Sequence, residues 1–125
     1  MRHRHRPVLY VVDFGGCTAL PGISPSNVTE TFVAALTEAG ATVVQTASHH
    51  FPGTGLTSVV ILAESHAVLH SWPETGTLHL DIFSCSARLD THAAIDEMAR
   101  VFGAAGVSIQ EVPRVDGHSP APDRP

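Results

Sequence analysis

The middle of the chain is predicted to form a series of β-strands, because it consists of short apolar runs and stretches in which alternate residues fall on one face. Residues 59–63 form an apolar run, and residues 66–72 then place two histidines and a tryptophan on one strand face. A Pro-Glu-Thr-Gly turn at 73–76 ends this stretch, and residues 77–85 form a third predicted strand. Shorter strands, rich in β-branched residues, are predicted over residues 8–12, 41–48 and 107–112.

Two other segments repeat apolar residues at helical spacing. Ser24-Pro25 is typical of a helix N-terminus, since serine caps free amides and proline fits the first helical position; Gly40 is a natural end. Asp90 is predicted to cap a second helix, whose end is bracketed by Gly103 and Gly106. The apolar stripes are Val28, Phe32, Ala35, Leu36 and Ala39 in the first helix, and Ala94, Ile95, Met98, Phe102 and Ala105 in the second.

The predicted element order is β-α-β-β-β-β-α-β. Because short connections join the adjacent strands, we expect an antiparallel sheet with the two helices on one face. The predicted fold class is therefore α/β (α+β), a two-layer sandwich formed by one domain over residues 8–112. Residues 1–7, which alternate Arg and His, are predicted to be a flexible arm, and residues 113–125 a disordered tail.

The chain has 125 residues, of which 43% are hydrophobic, enough for one domain with a core. No apolar run approaches the roughly 18 residues of a membrane span, and no secretory signal is found. We therefore expect a cytoplasmic protein without a membrane partner. In such a protein Cys17 and Cys85 are expected to be free thiols.

The charge distribution is more informative than the net charge of −5. The chain has no lysine, and residues 8–112 hold two arginines against ten carboxylates, a net charge of −8. Nucleic acid is not an expected partner, since its phosphates need Lys and Arg, whereas an acidic body suits a cationic ligand. Without lysine, pyridoxal phosphate cannot be held as an internal aldimine, so any electron sink must come from another source.

Reactive side chains are concentrated where the central strands end. Ala63-Glu64-Ser65-His66 follows the apolar run, His70-Ser71-Trp72-Pro73-Glu74 leads into the turn, and Asp81-Ile82-Phe83-Ser84-Cys85 ends the third strand. These residues resemble the small prokaryotic form of S-adenosylmethionine decarboxylase, a self-cleaving, pyruvoyl-dependent enzyme. The resemblance extends more weakly over residues 8–112.

The resemblance implies a self-cleavage reaction. Ser65 would attack the Glu64 carbonyl, exchange the peptide bond for an ester, and then eliminate the Glu64 carboxylate. Hydrolysis would leave a pyruvoyl group at the N-terminus of a fragment of residues 65–125. His70 is the implied base for processing, with Thr57 and His66 in support.

The resemblance also implies what the mature enzyme does. The pyruvoyl group would form a Schiff base with S-adenosylmethionine and act as the electron sink for its decarboxylation, which supplies spermidine synthesis. Cys85 is the implied proton donor, Glu74 the ligand of the ribose hydroxyls, and Phe51 the ring that stacks on adenine. Neither pyridoxal phosphate nor a metal is implied, and the implied assembly is a homodimer whose active sites draw on both protomers.

Departures from the family pattern keep the substrate open. Thr75 and Thr77 stand where the family usually has aromatic residues, and Ser58 where it usually has glycine. The resemblance implies arginine or ornithine as an alternative substrate, because some members of the family act on such amino acids, and an acidic body suits these cations as well.

Two further hypotheses do not involve this reaction. One is a non-cleaving relative that serves only as a dimerisation partner. The other is a metal-binding protein, although no spacing matches a tight ligand motif. Its candidate ligands are His49, His50, His66, His70 and His79, with Asp81 or Glu74.

Overall fold

The computed structural model describes residues 6–53 and 55–115. Most of the predicted arm (1–7) and tail (113–125) lies outside the described residues, as does Thr54 in the predicted loop 49–55. The element order is the predicted one. The elements are β1 (Val8–Gly15), α1 (Pro25–Glu38), β2 (Val43–His50), β3 (Leu56–Leu62), β4 (Ser65–Trp72), β5 (Thr77–Ser84), α2 (Thr91–Phe102) and β6 (Gly106–Pro113).

The strands form one antiparallel sheet in the order β2-β3-β4-β5-β1-β6. Strands β3, β4 and β5 follow one another as hairpins in the middle of the sheet. The first strand, β1, lies between β5 and the last strand, β6, so the two ends of the domain pair with each other. The sheet centre is therefore the hairpin series that carries the candidate catalytic residues.

Both helices begin at the capping residues that the sequence predicts, whereas α2 ends at Phe102, before Ala105 of the predicted apolar stripe. Ser24 Oγ accepts the Asn27 amide at 3.2 Å, and Asp90 Oδ1 accepts the Ala93 amide at 3.1 Å, so each N-terminus is capped by a side chain. Gly103 ends α2 with φ 69°, a left-handed conformation that glycine adopts without strain.

The core lies between the helices and one face of the sheet. Alternate residues of the strands point to this face, where complete burial of one apolar side chain contributes about 1.5–3 kcal/mol. The fully buried members include Val12, Phe14, Val60, Leu69, Leu80 and Ile82 of the sheet, and Phe32, Leu36, Met98 and Phe102 of the helices.

The opposite face of the sheet, here called the open face, is covered by neither helix. Its residues in β3 and β4 include Val59, Ile61 and Trp72, whose side chains are 36%, 43% and 43% exposed. Three large apolar side chains on one face are more than the scattered exposure of a monomer surface requires. The open face therefore has the character of a surface that another layer covers.

At two strand ends the difference from the sequence prediction comes from pairing between strands. Strand β1 continues past residue 12 to Gly15 because it pairs on both sides, with β5 and with β6. His49 and His50, predicted in a loop, end β2 opposite Thr57 and Leu56. In both places long-range pairing extends a strand beyond its local signal.

None of the helices in the described residues is long and apolar enough to cross a membrane.

Candidate active site

Ser65 begins β4 directly after the two-residue turn that joins β3 and β4. Its φ is 154°, which makes it the one residue other than glycine with positive φ in the described part of the chain. Such a conformation costs a side-chain-bearing residue about 1–3 kcal/mol and is held only by its surroundings. The peptide bond between Glu64 and Ser65 is therefore flanked by a strained backbone.

The carbonyl of this peptide bond is fixed and polarised by neighbouring groups. The Cys85 amide donates a hydrogen bond to the Glu64 carbonyl oxygen at 3.2 Å. The Glu64 side chain is only 6% exposed, and its Oε1 accepts the Thr42 amide at 2.9 Å. A backbone amide aimed at a carbonyl oxygen is the arrangement that stabilises an oxyanion when that carbonyl is attacked.

A histidine lies beside the Ser65 hydroxyl. His66 Nδ1 is 3.3 Å from Ser65 Oγ, and the His66 ring is tilted against Phe83 with ring centroids 5.6 Å apart. A histidine at this distance can accept the hydroxyl proton. Glu64, Ser65, His66 and Cys85 surround the bond at which cleavage is predicted and are together called the cleavage half-site.

His70 lies at the other end of β4, hydrogen-bonded to Thr57 of β3. Thr57 Oγ1 and His70 Nδ1 are 2.9 Å apart, and the two residues are directly opposite each other in the sheet. His70 follows Ser65 by five residues, which corresponds to about 16 Å along a strand. The structure therefore brings Thr57 and His70 together but does not bring them to Ser65 of the same protomer.

A pocket of about 440 Å³ lies beside the Thr57–His70 pair on the open face. Phe51 and Trp72 form part of its lining, so the structure brings the predicted adenine-stacking residue to His70. Gly55 is required here, because a Cβ at this position would clash with the Ser71 carbonyl oxygen. Thr57, His70, Phe51 and Trp72 are called the histidine half-site, and Glu74 lies in the turn that follows it.

The two cysteines differ in environment, and both are free, as predicted. Cys17 is buried, and burial raises the pKa of its thiol, which disfavours the reactive thiolate. Cys85 is exposed and follows β5 directly, next to the Glu64 carbonyl. Cys85 is therefore the thiol that reagents and substrates can reach.

The positions that depart from the family pattern have different environments. Ser58 is fully buried and faces the helices, where its hydroxyl is 2.8 Å from both Thr29 Oγ1 and Ser48 Oγ. It therefore does not line the pocket. Thr75 Oγ1 donates to Thr77 Oγ1 at 3.0 Å in the β4–β5 turn, and Thr77 lies directly opposite Trp72, at the edge of the histidine half-site.

The candidate metal ligands are dispersed. His66 is in the cleavage half-site, whereas His70 and His79 lie opposite each other at the far end of β4 and β5. Across residues 6–53 and 55–115, no three His, Cys, Asp or Glu residues are grouped so that they could hold a metal ion.

From the sequence alone, His79 is predicted only as a candidate metal ligand. Its ring accepts a hydrogen bond from Trp72, whose Nε1 is 3.2 Å from His79 Nδ1. Strand alternation places residues 77, 79, 81 and 83 on one face, but only the pairing of β4 with β5 shows that this face holds His70.

These features define a two-layer α/β sandwich protein that carries a strained serine and a polarised carbonyl at the turn of its central hairpin. The family model for S-adenosylmethionine decarboxylase matches residues 8–115. The chain therefore belongs to the S-adenosylmethionine decarboxylase family.

Curated relatives agree over most of the chain. S-adenosylmethionine decarboxylase proenzyme 2 of Halalkalibacterium halodurans is 34% identical over 104 residues, which is 83% of this chain and 82% of the relative. The S-adenosylmethionine decarboxylase proenzyme of Carboxydothermus hydrogenoformans is 37% identical over 88 residues, 70% of this chain and 69% of the relative. That of Pyrococcus furiosus is 32% identical over 105 residues, 84% and 76% of the two chains.

A solved structure has the same fold. The crystal structure of the adenosylmethionine decarboxylase from Aquifex aeolicus superposes with a TM-score of 0.77 at 23% identity, covering 95% of this chain and all of that one. The two-layer sandwich predicted from the sequence is thereby confirmed.

Proposed function

We propose that this protein is a pyruvoyl-dependent S-adenosylmethionine decarboxylase that cleaves itself between Glu64 and Ser65. Family membership and relatives named as proenzymes support the activity. The observation that carries the cleavage site is the strained φ of Ser65 next to a Glu64 carbonyl that accepts the Cys85 amide. The product would be the aminopropyl donor for spermidine synthesis, made in the cytoplasm.

The cleavage half-site has the groups that the first step needs. Ser65 Oγ attacks the Glu64 carbonyl carbon while His66 Nδ1 accepts the hydroxyl proton. The Cys85 amide stabilises the oxyanion, and the peptide nitrogen takes up a proton as it leaves, so an amide is exchanged for an ester. Release of the strained Ser65 backbone favours this exchange, which is otherwise unfavourable.

The second step removes the α-proton of Ser65 and expels the Glu64 carboxylate. The dehydroalanine left at residue 65 becomes an imine, and water replaces its nitrogen as ammonia, leaving a ketone. This step needs a base on the α-carbon. His70, hydrogen-bonded to Thr57, is the base that we assign to it.

The His70 of the same protomer is about 16 Å away from Ser65 along β4, so we assign this role to a second copy of the chain. The exposed apolar side chains of the open face support a homodimer in which two sheets pack face to face. If the two-fold axis passes near the middle of β4, the histidine half-site of each copy lies over the cleavage half-site of the other. A closed two-fold dimer then has two equivalent active sites.

In the mature enzyme, the pyruvoyl ketone condenses with the substrate amine and withdraws electrons as CO₂ leaves. The other roles belong to side chains of the chain. Cys85, exposed beside residue 65, donates the proton to the carbon that has lost CO₂. Phe51 stacks on the adenine at the pocket wall, and Glu74 in the adjacent turn holds the ribose hydroxyls.

The substrate alternative is arginine or ornithine, and Thr75 and Thr77 are the positions that favour it. The threonines are smaller than the aromatic residues usual in the family, and the acidic body suits either cation. The names of the relatives favour S-adenosylmethionine, so decarboxylation of the three compounds should be compared directly by CO₂ release.

The mass of the purified protein under denaturing conditions tests the proposal. We expect two fragments, residues 1–64 and 65–125, with the second carrying a ketone that borohydride reduces. CO₂ release should be fastest with S-adenosylmethionine. A single chain of full mass with no CO₂ release would contradict the proposal and favour a non-catalytic relative.

Replacing Cys85 with alanine should leave cleavage intact but impair turnover. The amide that polarises the Glu64 carbonyl is kept, whereas the proton donor is lost, which typically costs about 10²–10⁴-fold in rate. Fragment masses measure the first effect, and CO₂ release and product analysis measure the second. Ser86→Ala is the matched control, and turnover by Cys85→Ala equal to that of this control would exclude the thiol as proton donor.

A further inference from the structure

The indole of Trp72 is hydrogen-bonded to the His79 ring. The indole Nε1 donates to His79 Nδ1 at 3.2 Å, and the two rings meet at 63° with centroids 6.2 Å apart. Because an indole nitrogen only donates, His79 must accept through an unprotonated Nδ1. The contact is diagonal across the sheet, since His79 lies opposite His70, two residues from Trp72.

The residue that lies opposite Trp72 in β5 is Thr77, whose hydroxyl accepts a hydrogen bond from Thr75 Oγ1 at 3.0 Å. A short β-branched side chain offers the indole little surface to pack on, whereas an aromatic residue would pack against it across the strands. Trp72 is also the last residue of β4 and 43% exposed, so neighbouring strand residues do not enclose it.

The orientation of the indole sets the shape of the pocket. Trp72 lines the 440 Å³ pocket together with Phe51, Thr57 and His70, so a rotation of its ring would change the wall that faces a bound substrate. We propose that His79 is a positioning residue that fixes the Trp72 indole as a wall of the substrate pocket and thereby sets substrate affinity. This inference rests on the proposed function, because it assigns the pocket to the substrate.

The test compares His79→Ala with His79→Asn in the full-length, self-processed protein. Asparagine Oδ1 occupies nearly the place of imidazole Nδ1 and can accept the indole hydrogen bond, whereas alanine cannot. His92→Ala is the matched control, since His92 is an exposed histidine on α2 outside the site. KM and kcat for S-adenosylmethionine are measured for each variant.

Trp72 also provides a direct structural signal, because it is the only tryptophan in the chain. Its emission and its quenching by acrylamide report the freedom of the indole independently of turnover. We expect His79→Ala to raise KM about three- to tenfold, the typical effect of one lost hydrogen bond, with kcat changed less than about twofold. Trp72 should become more easily quenched in His79→Ala, and His79→Asn should restore both properties.

The outcomes separate this inference from the proposed function. If the wild-type protein neither cleaves itself nor binds S-adenosylmethionine, the proposed function fails and the inference fails with it. If the wild-type protein is active but His79→Ala matches His92→Ala in KM and quenching, only the inference fails. A fall in kcat at unchanged KM would also overturn it, because His79 would then act in the chemistry rather than on the indole.

Discussion

Replacing Ser65 with alanine is expected to give an uncut chain without decarboxylase activity. The hydroxyl is both the nucleophile that opens the Glu64 peptide bond and the precursor of the ketone, so alanine removes the cut and the electron sink together. Without an electron sink the rate should fall by about 10⁶-fold or more, the lower end of ordinary enzymatic enhancements. Intact mass and CO₂ release measure the two losses.

The substitution should leave the fold unchanged, since the only hydrogen bond found for Ser65 Oγ in the described residues is with His66 Nδ1 at 3.3 Å. Circular dichroism and thermal unfolding check this. Ser26→Ala, an exposed change in α1, is the matched control and should cleave and turn over normally. Cleavage of Ser65→Ala at the same bond, or retained decarboxylation, would refute Ser65 as nucleophile and pyruvoyl precursor.

Co-expression of Ser65→Ala with His70→Ala is expected to restore activity that neither variant has alone. In a mixed dimer, the chain with an intact Ser65 would meet the intact His70 of its partner, forming one complete site. Random pairing makes about half of the dimers mixed, each with one complete site, so about one quarter of wild-type activity should return. About half of the His70→Ala chains should be cleaved.

The two variants carry different tags, so that mixed dimers can be purified and the cleaved chain identified by mass. Each variant expressed alone provides the baseline, and circular dichroism checks that both fold. If purified mixed dimers show neither cleavage nor activity, the shared site is wrong. Complete cleavage of His70→Ala alone would instead remove His70 from processing and leave His66 as the base.

The helices could be predicted from the sequence because the capping residues and glycines that set their ends are adjacent to those ends in the chain. The Ser24 hydroxyl with Pro25, and Asp90 with Gly103, define both helices, and these boundaries are found in the structure. Strand ends that depend on pairing with another strand were less predictable from the sequence. His49 and His50 lie beside Pro52 and Gly53, which locally favour a loop, yet cross-strand bonds to β3 keep both histidines in β2.

The candidate site could be predicted as a set of residues but not as a geometry. Ser65 and His70 are close in sequence, which suggests one site, but a rise of about 3.3 Å per residue separates them along a strand. The hydrogen bond from Trp72 to His79 depends on the register between β4 and β5, which no local pattern specifies. The strain at Ser65 likewise arises from the way the hairpin closes.

The strand order has a consequence for the cleaved protein. A cut between Glu64 and Ser65 would assign β1, β2 and β3 to one fragment and β4, β5 and β6 to the other. Because β1 lies between β5 and β6, and β3 pairs with β4, three interstrand seams join the fragments. Strands of the two fragments would be interleaved in one sheet. The new N-terminus therefore stays in the sheet, and only unfolding would separate the fragments.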